Sequence, residues 1–122
     1  MDVLMVEDNT ALSALWSASL RRHGARVTIS ASQAEAIGQL QRTAFDVLIL
    51  SLGLSDGSPL AVADYAGYRR PETKIIPVTS DTFFSDGSVF AHVPNTCTTL
   101  ASTARPDDMA AIVEHYGSAG VR

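Results

Sequence analysis

The run Asp46-Val47-Leu48-Ile49-Leu50 constrains the fold more than any other feature of the chain. An alternating strand buries one face, whereas a run that is apolar on both faces belongs to a central strand of a parallel sheet, covered on both sides. Parallel neighbours need long crossovers, usually helices, and the surrounding sequence supplies them. Val3-Leu4-Met5-Val6 reads as a first strand broken by Glu7-Asp8-Asn9. Leu12, Leu15, Trp16 and Leu20 then follow at helical spacing, forming one predicted inward face, with Gly24 as the stop. A second strand is predicted over 27–30. Ser32 and Glu35 form a capping box for a helix with Ala36, Ile37 and Leu40 inward.

The third strand ends at Ser51, and Ser58-Pro59 opens a helix running to about Tyr68, with Pro71 beyond it. Residues 74–79 read as a fourth strand in which Pro77 is awkward, because proline cannot donate to a sheet ladder. Residues 80–94 have weak character: Ser85-Asp86-Gly87-Ser88 looks like a turn, and only a short helix over 88–92 is predicted. A polar fifth strand is expected over 97–101. Pro106-Asp107-Asp108 then opens a last helix, with Met109, Ile112, Val113 and Tyr116 inward. Five strand-then-helix units predict a doubly wound α/β fold, a five-stranded parallel sheet of flavodoxin-like order 2-1-3-4-5 with helices on both faces. Residues 1–117 are expected to form one domain and 118–122 a frayed tail.

Composition narrows the partners. Nine Lys and Arg against thirteen Asp and Glu leave a formal charge of −4 with no basic stripe, which argues against direct nucleic-acid binding. No apolar run approaches the ~20 residues that span a bilayer. The N-terminus has no secretory pattern, and the single cysteine, Cys97, has no internal disulfide partner. A cytoplasmic location is expected.

In a doubly wound sheet the site lies at the carboxyl ends of the strands. Here those ends carry Glu7-Asp8, Ser51, Thr79-Ser80 and Ala101-Ser102. The segments Val3-Leu4-Met5-Val6-Glu7-Asp8-Asn9 and Phe45-Asp46-Val47-Leu48-Ile49-Leu50-Ser51-Leu52-Gly53-Leu54-Ser55-Asp56-Gly57-Ser58 resemble the receiver domains of two-component response regulators, and the resemblance extends from Val3 to about Tyr116. In that family an acidic pair ends the first strand and an aspartate ending the third accepts phosphate. Mg²⁺ sits between these carboxylates and a backbone carbonyl two residues on. A Ser or Thr ending the fourth strand and a Lys ending the fifth hold the phosphoryl oxygens.

On the matching positions, Glu7 and Asp8 stand for the acidic pair, Thr79 for the hydroxyl, and Ser51 for the phosphoacceptor. A serine hydroxyl is a much weaker nucleophile than a carboxylate unless a base activates it, and no histidine falls at a strand end. The resemblance therefore implies a pseudo-receiver without aspartyl phosphorylation. Two registers compete for the lysine position: Arg105-Pro106, or Ser102 with Thr99 at the place of the family's switching aromatic residue. The second is preferred. It removes nucleophile, cation and reporter together. With one carboxylate gone no cofactor is expected beyond weak Mg²⁺ binding through Asp8 and the Gly53 carbonyl, beside Glu7.

The expected function is a non-enzymatic, phosphorylation-independent interaction module of bacterial two-component signalling. Its expected partners are a histidine kinase, a phosphotransfer protein, a response regulator or a second copy of itself. Phe83, Phe84 and Phe90 are candidates for the partner face. The rival reading is a small-ligand or metal-binding domain using the same crevice, although Glu7-Asp8-Asn9 stands where an anion-binding glycine loop would be needed. Trp16 is expected in the core, Cys97 as a small buried hydrophobe, and His23, His92 and His115 at the surface.

Overall fold

The computed structural model describes residues 1–79 and 93–119. Five strands, β1 (Asp2–Val6), β2 (Arg26–Ser30), β3 (Val47–Ser51), β4 (Lys74–Thr79) and β5 (Leu100–Ala101), form one sheet in the order β2-β1-β3-β4-β5. All four pairings are parallel. The expected α/β architecture is the observed one. Among the described residues there are four helices: α1 (Thr10–Arg22), α2 (Gln33–Arg42), α3 (Pro59–Arg69) and α4 (Pro106–Ala119).

Every residue of β3 is buried. Its alternate side chains feed two cores, as the two-residue period of a strand requires. Leu48 and Leu50 join Leu4, Val6 and Ile75 under α2 and α3, where Ala36, Leu40, Val62 and Ala66 close the layer. Val47 and Ile49 join Val3, Met5, Ile76 and Val78 under α1 and α4, against Trp16, Leu20, Met109 and Val113.

Local chemistry sets the helix ends. Asn9 caps α1 by accepting the Leu12 N–H, Ser32 caps α2 by accepting the Glu35 N–H, and Ser58 caps α3 by accepting the Ala61 N–H ahead of Pro59. The Glu35 carboxylate accepts from the Ala31 N–H, one residue upstream of the reciprocal capping-box bond. Gly24 follows α1 with φ of 91°.

Several expectations need correction. Leu15 is 54% exposed and points away from the core. It lies a full 100° step from Trp16, so the inward stripe runs through Ser13, Trp16, Ser17 and Leu20 instead. Cys97 is only half-buried, because the chain there makes a single bridge to β4 and no full strand. β5 is two residues long, shorter than the predicted 97–101. α4 runs through Ala119, into the expected tail, with buried Gly117 close to Met1 and Val47. The predicted helix over 88–92, His92, Phe83, Phe84 and Phe90 lie outside the described residues.

Pro77 is accommodated by position. It pairs with Leu50 across β3–β4. The N–H of Ile75 points towards the β5 side, where it donates to the Asn95 carbonyl at 2.9 Å, and the nitrogen of Pro77, two residues on, faces the same way. There it meets the gap between the Ile75–Thr96 bridge and the Val78–Leu100 pair, so no ladder bond is lost.

The loop between β3 and α3 is held from α2. Gln33 donates its N–H to the Asp56 carbonyl at 3.0 Å, and its Oε1 accepts the Ser58 N–H at 2.8 Å. Gly57, with φ of 106°, lies so close that a Cβ there would sit 2.3 Å from the Gln33 Cβ. Gly57→Ala therefore combines left-handed strain with a steric clash and should cost about 2–4 kcal/mol. Urea unfolding would show it as a lower midpoint at unchanged slope.

Candidate functional site

The parallel register carries the strand ends to one edge of the sheet. Val6 pairs with Leu50 and Ser51 with Val78, so the residues just beyond β1 and at the ends of β3 and β4 converge. They open on a cleft of about 300 Å³ lined by Glu7, Asp8, Asn9, Leu12, Ser51, Gly53, Val78 and Ser102. Among the described residues the lining contains two carboxylates and no Lys or Arg.

Ser51 is 7% exposed, and its Oγ accepts the Gly53 N–H at 3.2 Å. Among the described lining residues there is no histidine or lysine to activate the hydroxyl. Thr79 is buried at the end of β4, where its carbonyl accepts the Ser102 N–H at 2.8 Å, which ties the end of β5 to the end of β4. Ser102 is therefore at the cleft, whereas Arg105 lies further on, where its carbonyl accepts the Met109 N–H in the first turn of α4. Thr99 is exposed, one residue before β5.

Glu7 is buried, because its backbone continues the β1–β2 ladder with its N–H on the Ser30 carbonyl. Its Oε2 turns back to accept the Asn9 N–H at 3.0 Å. Asp8 is drawn across to the β3–α3 loop. One carboxylate oxygen, Oδ2, accepts both the Ser55 hydroxyl at 2.6 Å and the Ser55 N–H at 2.9 Å.

Mg²⁺ needs oxygen donors in near-octahedral geometry at about 2.0–2.1 Å, and without phosphate it depends on carboxylates. Glu7, Asp8 and Gly53 all line the cleft, but each carboxylate already accepts protein hydrogen bonds, and the third strand-end position is a neutral hydroxyl. Among the described residues, no three Asp, Glu, His or Cys side chains form a group that could hold a metal ion. The donor set does not fit tightly held Mg²⁺. His23 and His115 are exposed and lie away from the cleft.

Three residues that shape the site were not singled out in the sequence: Asn9, Gln33 and Ser55. Asn9 had a local signal, an Asn directly before a helical stretch. Ser55 had none, since its partner is 47 residues away.

No family model matches the sequence, and no curated protein does. Solved structures do. A CheY-like response regulator receiver domain protein from Methanospirillum hungatei superposes with a TM-score of 0.88 at 22% identity, over 98% of this chain and 95% of the other. The chain has the receiver fold. The signal receiver domain of a Luxo repressor protein from Vibrio parahaemolyticus has a TM-score of 0.84 at 20% identity, covering 98% and 92% of the two chains. The receiver domain of a sensor histidine kinase from Pseudomonas aeruginosa, determined with a magnesium ion in its active-site cleft, has 0.82 at 20%, covering 96% and 97%. Within this receiver fold, Glu7, Asp8, Ser51, Thr79 and Ser102 all lie at the carboxyl edge of the sheet. Among the described residues no helix is long and apolar enough to cross a membrane.

The Ser55 hydroxyl and then the Ser55 N–H hold the Asp8 carboxyl below its ordinary value of about 3.9. A lowered folded-state value means that this contact adds its stability above the unfolded pKa and loses it as pH falls through the folded one. Ser55→Ala removes the larger of these two causes and should raise the Asp8 midpoint, read by carboxyl-carbon NMR titration. An unchanged midpoint would refute the assignment of cause.

Proposed function

We propose that the chain is a phosphorylation-independent, receiver-like interaction module of two-component signalling, acting by contact with a protein partner. The observation that carries this reading is the state of the third strand end. Ser51 is a nearly buried hydroxyl engaged by the Gly53 N–H, with no histidine or lysine among the described residues that line the cleft. The receiver fold around it is intact. The reading makes the chain non-enzymatic and cytoplasmic, with Mg²⁺ binding weak at most.

Exposed apolar surface next to the cleft supports contact as the output. Ala11, Ala14, Leu15 and Ala18 are all exposed on α1, and Leu12 of the same helix lines the cleft. The partner is proposed to be a histidine kinase, a phosphotransfer protein, a response regulator or a second copy of the chain. Leu15 is already about half covered, so burying the rest contributes about 0.8–1.6 kcal/mol, or roughly four- to fifteenfold in affinity.

Two measurements test the proposal. With Mg²⁺ and beryllofluoride, or a small phosphodonor, the amide resonances of Ser51, Thr79 and Ser102 are expected to stay in place; shifts clustered on these three would overturn phosphorylation independence. For the partner that copurifies with the chain, Leu15→Glu should weaken binding at least tenfold with unchanged Tm, measured by calorimetry. Equal affinity would remove α1 from the contact face.

A further inference from the structure

We propose that Ser55 is a protein-borne substitute for a divalent cation: it occupies Asp8 Oδ2 and locks the β3–α3 loop, so a metal competes with this latch for the Asp8 carboxylate. The inference does not depend on the identity of any partner.

The geometry gives Ser55 the role from two donors on one residue. Its hydroxyl and its N–H both reach Asp8 Oδ2, at 2.6 and 2.9 Å, and hydrogen bonds to an ionised acceptor are the stronger kind. A cation that binds Asp8 through Oδ2 would have to displace the hydroxyl or share that oxygen with it, and one on Oδ1 would draw charge away from the Ser55 contact. The cleft lining holds no Lys or Arg to take over the balancing of Glu7 and Asp8, so the two Ser55 dipoles are the neutral means by which Asp8 is satisfied.

The latch also has a mechanical counterpart. The same loop is pinned on its far side by Gln33, through Asp56 and Ser58, and by the close approach of Gly57. Leu54, just before Ser55, is buried in the core. Residues 55–58 are thus fastened at both ends to separate elements, the β1–α1 junction and the start of α2, without an ion. In a metal-dependent site the order of this loop and cation binding would rise together. Here they oppose one another, because the loop is ordered by the ligand that the cation would need.

Magnesium alone is the probe, titrated into wild type, Ser55→Ala and Asp8→Asn and followed by amide chemical shifts, with hydrogen exchange of residues 53–57 in parallel. Ser55 is exposed, so its alanine variant removes one hydroxyl without opening the core. The latch predicts that Ser55→Ala binds Mg²⁺ at least threefold tighter than wild type while loop amides exchange at least fivefold faster without metal. Asp8→Asn should bind no Mg²⁺, and adding it to Ser55→Ala should abolish the gain. Mg²⁺ affinity in Ser55→Ala equal to or weaker than wild type overturns the proposal, as does loop protection that rises when Mg²⁺ is added to wild type. Loss of partner binding in an otherwise unchanged Mg²⁺ series would count against the interaction reading alone.

Discussion

The structure depends on the burial of β3 from both sides. A strand with no exposed residue can exist only if each face is covered, and the chain meets that condition by wrapping α2 and α3 over one face and α1 and α4 over the other. Once β3 is central, β1 and β4 become its neighbours, and the parallel register carries the ends of all three strands to one edge. The cleft follows from that packing. Its position needs no contribution from the polar residues that line it.

This separation between scaffold and site explains how a receiver fold can carry a serine at the third strand end. The two cores do not touch the question of whether Ser51 or a carboxylate stands there. What changes is the electrostatic balance. A buried carboxylate beside Glu7 and Asp8 would require a cation to offset mutual repulsion, whereas a hydroxyl needs one hydrogen-bond partner and finds it in the Gly53 N–H. The Asp8–Ser55 contact and the Gln33 clamp then order the loop by hydrogen bonds alone.

How much was legible in the sequence follows the range of the interactions concerned. The strands β1, β3 and β4 and the caps at Ser32 and Ser58 are local patterns, and they read correctly. Leu15 misled because a spacing of three or four places residues near one another on a helix without saying which side of the stripe faces inward. β5 was hard to place because two paired residues in a polar stretch carry almost no pattern. Within the site, the candidates at strand ends were found because topology puts strand ends together. Ser55 and Gln33 were missed because they act through contacts 47 and 25 residues away, which composition and periodicity do not encode.

Pro77 has a consequence for how the sheet tolerates damage. β5 is stitched to β4 over only two paired residues and one bridge, so it is the strand with the fewest ladder bonds to lose. Were it to lift away, the new border of the sheet would be β4, a largely buried apolar strand of the kind that recruits other chains into extended stacks. That border would present a ring nitrogen with no hydrogen at Pro77, interrupting the row of donors an incoming strand must match. The same residue that complicates the reading of β4 as an interior strand thus guards the sheet against growth from its weakest side.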